Sequence, residues 1–175
     1  MNIVKSVLII FLSLVLTSNS FSQNILYADL DKIMQTSEVG KKIINYFKDK
    51  NNVLIEKVNL DKKNLLDKEK SLISQKNILQ PEEFNKKVND IKKEIDSLNK
   101  KNSNELKKIN NEKNIVSKSF LEEINKILKE FAEKNKIDII ISSNHILIGK
   151  SELDVTDEIL KIVDSKIKKF EIKNE

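Results

Sequence analysis

His145 is the only histidine in the chain, and Ser142, Ser143 and Asp138 lie within a few residues of it. These are the residue types of a hydrolytic triad, but the spacing defeats the chemistry. All four fall in one stretch that reads as a β-hairpin, with no glycine-flanked serine to make a nucleophile elbow and no oxyanion-hole signature. A histidine in a solvent-facing turn is the simpler account. The absence of cysteine removes thiol catalysis, Cys-based metal centres and disulfides. With two glycines in all, no glycine-rich loop can cradle a phosphate. No carboxylate pair or His/Asp/Glu cluster has the spacing of an acid–base cleft or a metal site. The expectation is a chain without enzymatic activity and without a cofactor.

Lysines and aliphatic side chains are the groups that remain. Lysine doublets recur at Lys62-Lys63, Lys86-Lys87, Lys92-Lys93, Lys100-Lys101 and Lys107-Lys108, interleaved with Asp and Glu. Such runs are ordinarily a solvated helix face. Their other use is a positive lining that attracts acidic or anionic partners by long-range, salt-sensitive attraction. Ile55, Leu66, Ile73 and Ile78 fall outside the apolar seam described below. With Lys62, Lys63, Lys86, Lys87, Lys92 and Lys93 they are the candidates for weak, sequence-tolerant contact with a bound partner. The formal charge of +5 rests on lysine alone, and aromatics are 5% of the chain. Without arginine and interleaved aromatics, nucleic acid is not an expected partner.

The elements that must carry these groups are set by breakers and periods. A start with one cation, Lys5, an apolar run from Val7 to Leu16, and small polar residues ending at Ser22 have the layout of a secretory signal peptide. The run is shorter than the roughly 20 residues of a membrane-spanning helix. Cleavage is expected after Ser22, with a cut after Ser20 as the alternative, leaving an exported chain. Charged residues make up 34% of the whole, against about 25% in ordinary soluble domains. With one proline and many Lys, Glu, Leu and Ile, this composition favours long helices with a thin core.

Ile25–Leu30 reads as a strand, and Thr36-Ser37-Glu38 as a helix start, a hydroxyl cap followed by an acid. The helix continues to about Leu79, with Val58, Leu65, Leu72 and Leu79 recurring every seven residues. Gln80-Pro81-Glu82-Glu83 opens a second helix, proline being tolerated in the first turn and the acids complementing the dipole. Its seam lapses from Asn99 to Glu105 and resumes through Ile109, Val116, Phe120, Ile124, Leu128 and Phe131, ending near Asn135. Folding the helices back about Pro81 sets Leu72 near Val88, Leu65 near Ile95, Ile44 near Val116 and Gly40 close to Phe120, where the missing side chain makes room for a ring. Ile137–Ser142 and His145–Gly149 read as a β-hairpin. A last helix is capped at Thr156-Asp157-Glu158, with Ile159, Leu160, Ile162, Val163, Ile167 and Phe170 on its apolar side.

The fold class expected is therefore mainly α with a small β part, in the order β-α-α-β-β-α. Residues 1–22 are the signal peptide, 23–36 and 137–175 a β-containing association body, and 37–136 an antiparallel hairpin arm with its tip near 79–83. The strands are apolar on both faces, and a body of this size makes a marginal core alone. Burying a branched aliphatic side chain is worth roughly 1.5–3 kcal/mol, so self-association through Ile25, Tyr27, Ile139, Ile141, Ile146 and Ile148 is expected.

Three segments carry a family resemblance: Ile25–Leu30 leading to Thr36-Ser-Glu-Val-Gly-Lys41, then Ile137-Asp-Ile-Ile-Ile-Ser142, then Leu153-Asp-Val-Thr-Asp-Glu-Ile-Leu160. In this order, around a lysine-rich hairpin and behind a signal peptide, they resemble the Skp (OmpH-like) family of periplasmic chaperones over essentially the whole mature chain. The resemblance implies a periplasmic homotrimer whose arms enclose a cavity, holding unfolded outer-membrane proteins without ATP. It also raises lipopolysaccharide or an anionic membrane surface as a partner; the sequence departs from the family in a lysine-only, Asn-rich arm. The competing expectation is a structural or adaptor coiled coil of the cell envelope, which would bind one partner and leave unrelated clients unaffected.

Overall fold

The computed structural model describes residues 23–172; the expected signal peptide lies outside the described residues. The chain runs β1 (Ile25–Ala28), α1 (Leu30–Thr36), α2 (Glu38–Ser74), α3 (Pro81–Asn135), β2 (Ile139–Ser142), two short 3-10 turns (Ser143–His145 and Ser151–Leu153) and α4 (Thr156–Lys166). It is mainly helical with a small sheet. β1 and β2 pair in parallel, Ile25 opposite Ile139 and Ala28 opposite Ser142, so the ends of the described chain meet only because α2 and α3 leave and return.

Local chemistry sets most boundaries. Asp29 accepts the Lys32 N–H at 2.8 Å and starts α1. Ser37 closes α1 by donating its backbone N–H to Ile33, and opens α2 by accepting the Gly40 N–H at 3.1 Å. Pro81 occupies the first turn of α3, followed by Glu82 and Glu83. At the far end Lys136 adopts a left-handed conformation (φ 53°), and the Ile137 N–H reaches back to the Ala132 carbonyl at 2.9 Å. At 1.5 Å per residue α3 is roughly 80 Å long. It lies against α2 in an antiparallel hairpin, in which Lys68 meets Glu94 and Lys50 meets Glu112.

The core sits where this hairpin enters the body. Ile33, Phe120, Ile124, Ile159 and Val163 are fully buried there, with Phe47, Val116 and Phe131 close behind. Phe170, beyond the end of α4, packs edge-on against Phe120 at 5.5 Å between centroids. Further along the arm, Leu72 is the only buried hydrophobic among the described residues.

Four expectations need correction. The second strand of the β-hairpin is absent: Ser143–His145 winds into a 3-10 turn, and Ile146–Gly149 follows as irregular chain. Tyr27 explains the path. Its ring occupies the space a side chain on Gly149 would fill, and its hydroxyl donates to the Lys150 carbonyl, so the segment crosses Tyr27 instead of turning back beside β2. The free edge of β1 is then taken by Val155, whose N–H donates to the Tyr27 carbonyl at 2.9 Å. Ile146 and Ile148 are therefore loop residues. Secondly, the Leu30 end of the expected strand belongs to α1, because Asp29 caps a helix there. Thirdly, Ile44 is 44% exposed, and Ile43 and Phe47 fill the seam in its place. Lastly, what requires glycine at position 40 is backbone: a Cβ there would lie 1.8 Å from the Met34 carbonyl oxygen, where α1 turns into α2. Two helix ends also differ, α2 stopping at Ser74 and α4 at Lys166.

Candidate functional site

The seam of the arm uses only some of its apolar residues. Leu54, Val58, Leu65 and Leu72 of α2 face α3, each half-buried or buried. Ile44, Ile55, Leu66 and Ile73 are spaced by eleven, eleven and seven residues, whole numbers of helical turns to within about 20°. They form a stripe along one flank of α2, roughly a quarter-turn from the seam, and all four are exposed. Lys48 and Lys62 fall on the same line. Ile78, 80% exposed, stands in the turn between α2 and α3. The stripe continues across the seam: Ile55, Leu54 and Val58 line an open groove with Leu106 of α3, and Lys62 stands at its side.

A second groove runs on the opposite flank, lined by Val53, Leu54, Ile109 and Ile115. Val53, Leu60, Leu106 and Ile115 are exposed apolar residues that the sequence reading did not single out. The signal was available, because none of them falls on the seven-residue seam.

Lys62, Lys63, Lys86, Lys87, Lys92 and Lys93 are all exposed. Lys87 approaches Glu83 one turn earlier at 3.7 Å; the other five form no ion pair among the described residues. The charge is unevenly divided. Residues 37–136 hold 24 Lys against 17 acids, a net of +7, whereas residues 23–36 and 137–175 hold 7 Lys against 10 acids, a net of −3. At the boundary Lys50 donates to both Glu112 oxygens, with Tyr46 bonded to the same carboxylate. The hydrogen bond to Glu112, and next that to Tyr46, holds the Lys50 ammonium above its ordinary pKa.

On the body, the residues expected to self-associate separate into two sets. Ile25 and Ile139, a cross-strand pair, are 36% and 48% exposed. Tyr27, Ile141 and Ile146 are half-buried within the chain. Ile148 projects fully, and Leu147 beside it, on the other face of the expected strand, does the same. His145 is exposed at the end of its 3-10 turn. No group of His, Asp and Glu among the described residues could hold a metal ion.

The sequence matches the family model described as outer membrane protein (OmpH-like) over residues 24–163. Six chains of known structure match as well. One of them, from Caulobacter crescentus CB15 and provisionally described as an outer membrane chaperone (OmpH-like), superposes with a TM-score of 0.78 at 13% identity, covering 85% of this chain and 88% of that one. At that identity the likeness speaks for the fold. No curated protein matches the sequence.

Proposed function

The chain belongs to the OmpH-like family of outer membrane proteins, and from that premise we propose that it is an exported, ATP-independent holdase chaperone for unfolded outer-membrane proteins. The observation that carries the reading is the stripe of Ile44, Ile55, Leu66 and Ile73 on α2, apolar, exposed and interrupted by lysines. An adaptor needs one shaped patch. A holdase needs many weak contacts spread along a surface, so that a client without fixed shape is held by their sum and none of its segments is bound tightly. Burying one such side chain gains roughly 1.5–3 kcal/mol at most. The net positive arm adds long-range attraction to acidic segments that salt weakens. On this reading Ile55, Leu66, Ile73 and Ile78 contact the client, and Lys62, Lys63, Lys86, Lys87, Lys92 and Lys93 draw it in.

Self-association is the second part of the proposal. Ile25 and Ile139 at the two-stranded sheet, with Leu147 and Ile148 beside it, leave apolar surface that further copies of the chain would cover, and the family resemblance sets the expected number at three. The periplasm is the compartment such a chaperone requires.

Light scattering after dilution of a urea-unfolded β-barrel membrane protein tests the holdase reading. Residues 23–175 at a few-fold excess are expected to suppress aggregation, and replacing Ile55, Leu66 and Ile73 together by Ser to weaken suppression while the helix content stays the same. Unchanged scattering with the unmodified protein would reject the proposal. Sedimentation at micromolar concentration tests association, and a monomer there contradicts that part alone.

A further inference from the structure

The seam of the arm changes character along its length. Near the body it buries Phe47 and Val116, and near the tip Leu72. Between these levels α2 presents Asp61 and α3 presents Asn102. Asp61 Oδ2 and Asn102 Oδ1 are shut off from solvent, and no protein group donates to either. A buried acceptor without a donor loses its hydration and gains nothing in exchange, a penalty that readmitted water would remove. Open grooves flank the seam along most of the arm, so the two orphaned acceptors are what mark this level. An open groove of about 730 Å³ reaches from Asn102 to Leu54 and Val58, and another of about 680 Å³ from Asp61 to Leu72 and Leu98. The seam is clasped on either side by Lys50–Glu112 and Lys68–Glu94, each at 2.6 Å. Among the described residues no ion pair joins the two helices between these clasps.

We infer that the arm has a soft middle: at the level of Asp61 and Asn102 the two helices part locally and take in water, while the clasped segments on either side stay zipped. The opening bares the inner faces of Val58 and Leu65 transiently and lets the arm change width without disturbing its root. It requires nothing of any client, so it stands or falls separately from the chaperone reading.

A chain without cysteine allows a direct test. Val58→Cys, Leu72→Cys and Val116→Cys, made singly in the folded protein, are reacted with a small maleimide. Adding Asp61→Leu and Asn102→Leu replaces both orphaned groups with apolar side chains, and is expected to slow labelling at Val58→Cys about tenfold while the rates at Leu72→Cys and Val116→Cys hold. An unchanged rate at Val58→Cys overturns the inference. Equal slowing at all three positions overturns it too, since that is global stabilisation. Should the added pair impair folding, hydrogen exchange of the unmodified protein decides: amides of residues 55–65 and 98–106 exchange faster than those on either side, and uniform protection along the arm refutes the soft middle.

Discussion

The root of the arm and its distal half are built from the same two helices yet held together differently. At the root, α2 and α3 are gripped from outside by α1, α4 and the strand pair, and Phe120 and Ile124 have no exposed surface. Beyond the Lys50–Glu112 clasp, among the described residues, nothing packs on the hairpin but itself and Leu72 alone is buried. A two-helix hairpin encloses only a line of side chains, so residues flanking that line stay wet whatever their type. Exposed Ile and Leu on the distal arm thus follow from the architecture; the buried rings sit at the root, where a third layer exists to cover them, while Phe84 near the tip is only half-buried.

Removing a ring should separate the two regions most sharply. Phe120→Ala is expected to cost about 3–5 kcal/mol in urea unfolding, whereas Leu65→Ala, on the half-buried distal seam, costs about 1 kcal/mol. Similar losses at both sites would erase the distinction. Gly40→Ala tests the root through its backbone. The new methyl would collide with the Met34 carbonyl, and a loss of about 3 kcal/mol or more is expected, because the α1–α2 corner must open.

Lys136 offers a gain instead. It holds a left-handed conformation without being glycine, so Lys136→Gly is expected to stabilise the chain by about 1 kcal/mol in thermal melting. At the boundary between the regions, Glu112→Gln should cost about 1 kcal/mol at neutral pH, modest because the pair is partly solvated. The pair's contribution is present below the ordinary lysine pKa and is lost as pH rises through the raised value of Lys50. The variant and the parent should therefore converge in strong alkali.

The smallest effect belongs to the exposed Lys32–Asp157 pair on the body. The hydrogen bond and charge of Lys32 hold the Asp157 carboxyl below its ordinary pKa. Its contribution is present above the ordinary aspartate range and fades as pH falls through the lowered value. Lys32→Gln should raise the Asp157 titration in an NMR pH series and leave the melting temperature where it was.

Much of the arm was legible in the sequence, because its rules are local. Ser37 caps α2, Pro81 starts α3, and the helix ends at Asn135 as its apolar period implies. The candidate stripe was legible only in part: Ile55, Leu66 and Ile73 are visible as residues off the seam, but folding the helices back about Pro81 sets Ile44 on it, and Leu106 does not stand out. Ile43 and Ile44 are adjacent and chemically identical, and only the position of α3 decides which one is covered.

The sequence by itself determined α2, α3, α4 and the turn between the long helices, since caps, breakers and periods act within a few residues of one another; α1, capped by Asp29, was not legible in it. The tertiary structure alone decided the fate of Ile146–Ile148. These residues have every local mark of a strand, but a strand needs a neighbour's hydrogen bonds. The ring beneath Gly149 and the bond from the Tyr27 hydroxyl to the Lys150 carbonyl draw the chain across β1 instead of back along β2. A contact between segments so distant in the chain is recorded in no short window of sequence.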